Sequence, residues 1–318
     1  NQLAMGTGLA TIKTIQEQFP VVSFKVEPSD IRIFSDAEYQ NLGIEVTDDL
    51  SDCEVLFGVK EVPVEALIPN KKYFFFSHTI KKQPYNQKLL QAVLEKNIEL
   101  YDHETIVDAA NKRLIGFGRY AGIVGAYNAI RAFGIKFELF KMPKASALKG
   151  RDALVQQVKR QIIPPIKIVV TGTGKVGSGV KEMLLAMKIK EVSVENFLTK
   201  KFTQPVFTQI DVLEYNKRMD GQKFDTKDFY KNPSEYESDF ERFTKVADIY
   251  ISGHFHANAA PQILSQKMLQ ANDCAIKIVA DVSCDVNGPI ACTLRASTIE
   301  EPLYGYLPSE NKEVDVFH

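Results

Sequence analysis

The sequence predicts an α/β protein with two domains, each built on a mainly parallel sheet. Apolar segments of strand length alternate with helical segments along the first part of the chain, an alternation typical of parallel sheets. A strand, a glycine-rich turn and a helix follow one another near the middle. At 318 residues the chain is long enough for two domains. Because about half of the chain precedes this turn, we predict a second domain upstream of it.

The glycine-rich turn has the pattern G-x-G-x-x-G. It follows an apolar run at 166–170 and precedes apolar side chains at helical spacing over 180–187. In this context the first glycine makes the turn, the second admits a pyrophosphate, and the third lets the helix pack on the strand. We therefore predict that NAD or NADP binds at Gly172, Thr173, Gly174, Lys175, Val176 and Gly177.

Further elements are predicted on both sides of the turn. Upstream, strands are predicted at 21–26, 54–59, 73–77 and 98–101, and helices at 86–96 and 120–133. The second of these helices is rich in small residues, and we interpret it as a hinge between the domains. Downstream, strands are predicted at 191–194, 248–252 and 275–281.

Two Rossmann-like domains with a cleft between them follow from this pattern. We assign residues 1–134 to a substrate and catalytic domain, to which 301–318 would return. Residues 135–300 form the NAD(P)-binding domain. Its stretch at 199–245 carries many aromatic side chains among its charges, and we interpret it as an ordered insertion.

The composition and net charge of the chain argue against several classes of function. The net charge is −1 without a basic stripe, which argues against nucleic acid as a partner. No apolar run approaches the roughly 20 residues that span a bilayer.

The four cysteines lack C-x-x-C spacing, and no signal peptide is visible, so we expect a cytoplasmic protein. His254 and His256 lack a third ligand nearby, so no metal site is predicted. The sequence is compatible with a homodimer.

Two titratable side chains follow predicted strands of the first domain. Lys60 comes after the strand at 54–59, and His78 comes after the strand at 73–77. Ligands bind outside the carboxyl ends of parallel strands, where a lysine and a histidine can shuttle protons. Position alone favours the alternative of a surface lysine and a polar loop histidine.

Other cofactor contacts are predicted at the ends of later strands. Asp281 and Asp285 can each meet ribose or the nicotinamide carboxamide, or can cap a turn. Glu195 follows the turn at about the spacing, roughly 20 residues, of the acid that binds the ribose 2′-OH of NAD. Lys200 and Lys201 would instead favour the 2′-phosphate of NADP, so both cofactors stay open. The cofactor-binding candidates in this part of the chain are Glu195, Ser252, Gly253, Asp281, Val282 and Ser283.

Several blocks of sequence resemble the lysine-forming saccharopine dehydrogenases, and especially the lysine–2-oxoglutarate reductase domain of aminoadipic semialdehyde synthases. This branch belongs to a superfamily with alanine dehydrogenase and the N-terminal part of nicotinamide nucleotide transhydrogenase. The resemblance covers roughly residues 30–310. The blocks that carry it are F-S-H-T-I-K-K-Q at 76–83, Y-D-H-E at 101–104, R-L-I-G-F-G-R-Y-A-G-I-V-G at 113–125, A-D-V-S-C-D-V-N-G-P-I at 280–290 and T-I-E-E-P at 298–302.

The resemblance implies reversible hydride transfer between nicotinamide and the imine of lysine and 2-oxoglutarate. It implies that Lys60 and His78 are the catalytic pair. Lys81 and Glu104 match positions that bind a substrate carboxylate or tune the pair, and Asp285 matches an aspartate near nicotinamide and substrate. The implied partners are therefore amino-acid and 2-oxo-acid substrates.

Two departures leave alternatives open. Family members usually carry an N-terminal Arg-x-x-Leu-Thr-Pro motif, which residues 1–12 lack, and they continue beyond the equivalent of 304–306 with a helical return. We expect either that end segments are missing from this chain or that it is a truncated or divergent member. The alternative functions are oxidative deamination of the alanine dehydrogenase type and a non-catalytic nucleotide-binding module.

Overall fold

The computed structural model describes residues 8–316 apart from 83, 255 and 257–259, and for Lys81 it describes the backbone alone. The chain divides into two compact units, Asn1–Gly116 and Phe117–His318. The helix predicted at 120–133 lies in the second unit, whereas our predicted domain boundary follows that helix. The predicted α/β class, with two Rossmann-like units and parallel sheets, is confirmed.

The first unit contains two small parallel sheets, β1-β2 and β3-β4-β5. Its elements in chain order are α1 (Gly8–Gln18), β1 (Lys25–Val26), α2 (Asp36–Gln40), β2 (Glu45–Val46), β3 (Val55–Phe57), β4 (Lys72–Phe75), α3 (Gln87–Glu95) and β5 (Glu99–Asp102). Helix α3 packs Leu89 and Val93 against Tyr73 and Phe75 of β4 in one buried cluster. Because alternate strand residues point to one face, β4 buries these two rings together.

The strand predicted at 21–26 is much shorter than expected. Only Lys25 and Val26 pair, with Glu45 and Val46. Val21 is 95% exposed, so the alternating pattern there does not mark a buried face.

The second unit contains a central five-stranded sheet with helices on both faces, and two antiparallel pairs of short strands. Its strands are β6 (Lys167–Thr171), β7 (Lys190–Glu191), β8 (Val206–Ile210), β9 (Asn216–Arg218), β10 (Tyr236–Ser238), β11 (Ile249–Ser252), β12 (Ile278–Asp281), β13 (Gly305–Leu307) and β14 (Lys312–Val314). The central sheet has the order β12-β11-β6-β8-β7 and is parallel throughout. Ile168 and Val170 of β6 face one core and Val169 faces the other, which makes β6 a strand buried on both sides.

The helices of this unit cover both faces of the sheet. They are α4 (Gly118–Lys136), α5 (Gly150–Lys159), α6 (Lys175–Ala186), α7 (Val194–Thr199), α8 (Val212–Tyr215), α9 (Thr226–Lys231), α10 (Glu241–Thr244) and α11 (Gln266–Gln270). The glycines of α4 and α6 bring these two helices together. A Cβ on Gly122 would lie 2.0 Å from the carbonyl oxygen of Val176, and one on Gly179 would lie 2.0 Å from that of Arg119. The small residues of α4 therefore serve close packing within the second unit.

The stretch at 199–245 differs from the expected insertion in one respect. Its Tyr215, Phe229, Tyr236 and Phe240 join the second core, as expected of an ordered segment. However, it also contains β8, which pairs directly with β6. The polar residues within β8 concealed this central strand from sequence patterns. The strand predicted at 191–194 is correspondingly short, because Ser193 caps α7 and turns the chain into a helix.

Candidate active site

Lys60 and His78 lie side by side in the first unit. Strands β3 and β4 are parallel neighbours, and the loops that follow them leave at the same edge of the sheet. The backbone N–H of Phe76 donates to the carbonyl of Val59 (3.0 Å), which joins the two loops. Lys60 Nζ consequently lies 3.5 Å from His78 Nε2. The structure thus brings together the two side chains that we predicted as site residues from their positions after neighbouring strands.

Glu104 contacts the other nitrogen of the His78 ring. It follows β5, and its side chain is nearly fully buried. Its Oε2 lies 3.1 Å from His78 Nδ1, and its Oε1 lies 3.3 Å from a guanidinium nitrogen of Arg113. A carboxylate only accepts hydrogen bonds, so Nδ1 donates and the neutral ring leaves Nε2 as an acceptor. That acceptor faces Lys60.

Three residues join this site that the sequence analysis did not single out. Glu61 Oε1 lies 3.7 Å from His78 Nε2, on the side of Lys60, and Arg113 contacts Glu104. Asp102 is buried and orders both loops: it accepts from the Ser77 hydroxyl (2.5 Å) and from the Glu104 N–H (2.8 Å). Asp102 and Arg113 stand in blocks that carry the family resemblance, and Glu61 directly follows the predicted Lys60; these positions were the available signal.

His78 has an unusual backbone conformation. Its φ of 55° places it in the left-handed region, just before the short 3-10 turn Thr79–Lys81. Non-glycine residues in this region are uncommon and are enriched at functional sites. The side chain of Lys81 lies outside the described residues.

The glycine turn of the second unit has the shape that a pyrophosphate requires. Gly172 adopts a φ of +90°, which favours glycine, and its N–H donates to the carbonyl of Ile210 (2.8 Å). A Cβ on Gly177 would lie 2.0 Å from the Gly172 oxygen, so this glycine allows the helix to close on the strand. A Cβ on Gly174 would meet no atom within 4 Å. Gly174 caps α6, so open space lies before a helix N-terminus and fits a dinucleotide phosphate.

The predicted contacts around this turn have different surroundings. Thr173, Gly174 and Lys175 are exposed at the start of α6, with Val176 half-buried behind them. Gly253 packs on the turn, since its Cβ would lie 2.9 Å from the Gly177 nitrogen.

The carboxylate of Asp281 accepts hydrogen bonds from three hydroxyl groups of the protein. Its Oδ1 accepts from the hydroxyls of Ser252 (2.5 Å) and Ser283 (2.7 Å), and its Oδ2 accepts from Thr293 (2.6 Å). Ser252 in turn accepts from the N–H of Val282 (3.1 Å). Two roles are predicted for Asp281: contact with the cofactor and capping of a turn. In the structure its hydrogen bonds order the loop that follows β12, which corresponds to the second role. Asp285 is exposed in the turn that follows.

Glu195 lies away from the glycine turn. It is exposed in the first turn of α7, which follows the edge strand β7, and β8 separates that edge from β6. Strand β8 pairs with β6, and the acidic residue that follows β8 at its carboxyl end is Asp211. The spacing that predicts Glu195 counts residues along the chain, and β7 and α7 lie between α6 and β8. The role of Glu195 stays a prediction.

His254 forms a buried network beneath the turn. The fully buried Tyr250 hydroxyl lies 3.0 Å from Thr171 Oγ1, which lies 2.7 Å from His254 Nδ1. Burial lowers the pKa of His254 to about 4; Asp281 opposes this shift and His256 adds to it. The ring is therefore neutral at physiological pH.

Two possible features are not found within the described residues. They contain no cluster of three or more His, Cys, Asp or Glu side chains suited to a metal ion. No helix in this part of the chain has the length and hydrophobicity needed to cross a membrane.

Comparisons with known proteins agree with this architecture. The chain is 31% identical to alpha-aminoadipic semialdehyde synthase of Arabidopsis thaliana over 91% of its own length, and it spans 31% of that protein. It is 23% identical to a saccharopine dehydrogenase [NAD(+), L-lysine-forming] of Yarrowia lipolytica, covering 93% of this chain and 76% of the relative. The chain therefore spans about a third of the semialdehyde synthases that it matches.

Solved structures share the fold at low sequence identity. An L-alanine dehydrogenase has a TM-score of 0.55 at 15% identity, covering 94% of this chain and 75% of its own. A transhydrogenase from Sinorhizobium meliloti has a TM-score of 0.54 at 15% identity, covering 89% and 75%. Residues 10–124 match the family model described as alanine dehydrogenase/PNT, N-terminal domain. Most of the first unit is thus similar to the alanine dehydrogenase/PNT N-terminal domain, and the predicted resemblance of the chain to aminoadipic semialdehyde synthases and lysine-forming saccharopine dehydrogenases is confirmed.

Proposed function

We propose that this chain is an NAD(P)-dependent oxidoreductase of the saccharopine dehydrogenase type, which acts on a carbon–nitrogen bond of an amino acid. In the reductive direction its substrates are lysine and 2-oxoglutarate. The observation that carries this proposal is the 3.5 Å approach of Lys60 Nζ to His78 Nε2, with Glu61 and Glu104 beside the ring. The similarity to semialdehyde synthases and saccharopine dehydrogenases supports it.

The Lys60–His78 pair suits the proton transfers of imine chemistry. When an amine adds to a ketone, the new C–N bond forms as the amine loses a proton, and water leaves after the hydroxyl gains one. His78 Nε2 is an acceptor in the neutral ring, and Lys60 is a donor beside it. One group can therefore take a proton while the other supplies one, which is general acid–base catalysis.

The surrounding carboxylates organise this pair. Glu104 holds the tautomer in which Nε2 is the acceptor, and Arg113 balances the charge of Glu104. Glu61 lies on the Nε2 side, where it stabilises positive charge on the ring or on Lys60. With these carboxylates beside the pair, a positive charge on His78 or Lys60 has a negative side chain nearby when a proton is transferred.

The second unit would bind the nicotinamide dinucleotide. Its pyrophosphate would lie at Gly172–Gly174 and the N-terminus of α6, where Gly174 leaves space. The bound cofactor supplies or accepts the hydride. The loop ordered by Asp281, with Ser252, Val282 and Ser283, lines the same edge of the sheet.

Absorbance at 340 nm tests the proposal. Purified chain is assayed with saccharopine and either oxidised cofactor, and with lysine, 2-oxoglutarate and either reduced cofactor. We expect turnover with these substrates and little with alanine or with pyruvate and ammonia. Turnover with alanine alone would replace our substrate with the alanine dehydrogenase alternative. Calorimetry that detects cofactor binding, without any amino-acid or oxo-acid binding or turnover, would favour the non-catalytic module and contradict the proposal.

A cytoplasmic location and a homodimer belong to this proposal as predictions from the sequence. The mammalian semialdehyde synthases similar to this chain are named mitochondrial, which describes those proteins. Light scattering of the purified chain measures the oligomeric state, and a monomeric mass would contradict the homodimer.

A further inference from the structure

The hydrogen bonds between β3 and β4 depart from the regular pattern just before Lys60. The Gly58 N–H donates to the carbonyl of Phe74 (2.8 Å). In a regular parallel ladder the carbonyl of Gly58 would then accept from the Phe76 N–H, because the N–H and the C=O of one residue bond the same neighbouring strand. The Phe76 N–H instead donates to the carbonyl of Val59 (3.0 Å). The chain that leaves β3 therefore has one extra residue here, which is a β-bulge.

This bulge determines the direction of the Lys60 side chain. A bulge bends its strand and re-aims a neighbouring side chain, and the backbone bends at Val59 and Lys60. Lys60 Nζ consequently lies 3.5 Å from His78 Nε2. The bulge also leaves the carbonyl of Gly58 without its partner in the ladder, and no other backbone N–H among the described hydrogen bonds donates to it. Such a carbonyl needs another donor.

The side chain of His103 supplies that donor. His103 follows β5, and its backbone N–H donates to the carbonyl of Phe75 (3.1 Å), which ties it to β4. Its ring reaches past the end of β4, where Nε2 lies 3.3 Å from the carbonyl oxygen of Gly58. The ring of Phe76 packs edge to face against it, with the centroids 5.1 Å apart. The half-buried His103 ring therefore holds the carbonyl that the bulge removes from the ladder.

The hydrogen bond to Gly58 defines the tautomer of the His103 ring. A carbonyl only accepts, so Nε2 carries the proton and Nδ1 is an acceptor in the neutral ring. Nδ1 is buried and has no hydrogen-bond partner among the described residues. Burial of an unpaired nitrogen costs free energy, which a phenylalanine packed against Phe76 would avoid. Packing alone therefore does not account for a histidine here, whereas the donor at Nε2 does.

We propose that His103 is a positioning residue for the Lys60–His78 pair, because its hydrogen bond to the Gly58 carbonyl holds the bulge that turns Lys60 toward His78. This inference rests on the proposed function, since it concerns the proton transfers assigned to that pair. Without the donor, the carbonyl would turn toward water, and the bend at Val59 would no longer be fixed. Lys60 Nζ would then not be held beside His78 Nε2.

The kinetics of two substitutions at this position test the proposal. His103→Phe keeps an aromatic ring against Phe76 but lacks the donor, whereas the side-chain amide of His103→Gln can donate to Gly58. The 340 nm assay is run with lysine, 2-oxoglutarate and either reduced cofactor. We expect kcat to fall about 10- to 100-fold in His103→Phe, as for a displaced catalytic group, and to recover most of this loss in His103→Gln.

Three comparisons separate positioning from a general loss of structure. NADH affinity should stay that of wild type in both variants, because the Lys60–His78 pair acts in proton transfer and does not hold the pyrophosphate. Far-UV circular dichroism checks that each variant folds. Tyr101→Phe is the control: it removes a hydroxyl, which donates to Glu99 (3.0 Å), from the same face of the sheet, and it should keep the wild-type kcat.

Nitrogen-15 NMR of the histidine rings gives a readout that does not depend on turnover. The signals of His103 are those lost in His103→Phe, and we expect them to report a protonated Nε2 and an unprotonated Nδ1. The signals of His78 are identified by their loss in His78→Gln. They should shift in His103→Phe, because Lys60 leaves Nε2, and should stay near their wild-type positions in His103→Gln and Tyr101→Phe.

The outcomes distinguish this inference from the proposed function. A His103 ring protonated at Nδ1 alone, or a wild-type kcat with unshifted His78 signals in His103→Phe, overturns the inference and leaves the proposed function intact. A loss of kcat that is equal in His103→Phe and His103→Gln also overturns it, because the donor would not be the cause. Folded wild type without turnover contradicts the proposed function, while the His78 signals still decide whether His103 positions Lys60.

Discussion

Glu104 Oε2 lies 3.1 Å from His78 Nδ1 and so selects the ring tautomer that presents Nε2 to Lys60. Glu104→Gln can donate an amide hydrogen to Nδ1, which would move the ring proton to Nε2. We expect kcat to fall by about 10² or more, as for a displaced proton-transfer group.

The pH profile of kcat separates this effect from loss of fold. It should change in Glu104→Gln, while far-UV circular dichroism stays that of wild type. Glu65→Gln, on an exposed turn of the same unit, is the charge-matched control. A wild-type rate and pH profile in Glu104→Gln would show that the contact does not position the ring for catalysis.

Lys60 should be required for turnover. Lys60→Met removes the donor beside His78, and we expect kcat to fall by roughly 10²–10⁴ in the 340 nm assay. Lys60→Arg keeps the charge but does not release a proton, so it should not restore the rate. Unchanged kcat in Lys60→Met would remove Lys60 from the mechanism. Lys60 is exposed, so neither variant should alter the melting temperature much.

The cap of α6, Gly174, and the third residue of this helix, Gly177, offer a matched pair of glycine variants. Gly174 has open space and a backbone conformation, φ −76° and ψ −164°, that valine adopts readily. Gly174→Val should therefore spare the fold and weaken NADH binding by tenfold or more, on the order of 1.4 kcal/mol. Unaltered NADH affinity would contradict the placement of the pyrophosphate at this turn.

Gly177→Ala provides the comparison. Its Cβ would meet the Gly172 oxygen at 2.0 Å, so the turn itself must shift. We expect the free energy of unfolding to fall by roughly 1–3 kcal/mol, an overpacking cost that Gly174→Val should lack. Thermal unfolding followed by circular dichroism measures both variants.

The buried His254 should make stability depend on pH. Its pKa is about 4 in the folded protein, well below the ordinary histidine value. The unfolded chain therefore binds this proton first as the pH falls, and stability is lost between about pH 6.5 and 4. The full loss is on the order of 3 kcal/mol.

Urea unfolding at pH 7 and pH 5 measures this dependence. His254→Asn keeps an acceptor for Thr171 and should lower the difference in unfolding free energy between the two pH values. His256→Asn should have a smaller effect in the same direction, because burial also lowers the pKa of the half-buried His256. A wild-type pH dependence in His254→Asn would mean that other groups account for it.

Local patterns were enough to predict the features that depend on neighbouring residues. The strand, glycine turn and helix around Gly172–Gly177 each follow from short-range rules of geometry. The approach of Lys60 to His78 also followed, since parallel neighbouring strands end at one edge of a sheet. Their catalytic roles stay predictions.

Features set by long-range pairing could not be predicted in this way. Helix α4 lies in the second unit because its glycines admit the backbone of α6, a contact between residues such as Gly122 and Val176. Likewise, the burial of His254 beneath the turn depends on Thr171, more than 80 positions earlier.

The motif in the chain determined that a glycine turn joins β6 to α6, since a glycine pattern between strand and helix is a local property. Only the tertiary structure decided which acid stands beside it. Strand β8 lies next to β6 because of hydrogen bonds between residues that are distant along the chain. This pairing brings Asp211 close to the turn. The spacing rule predicts Glu195, because it counts residues along the chain, whereas the order of strands in the sheet depends on pairing between residues that are distant in sequence.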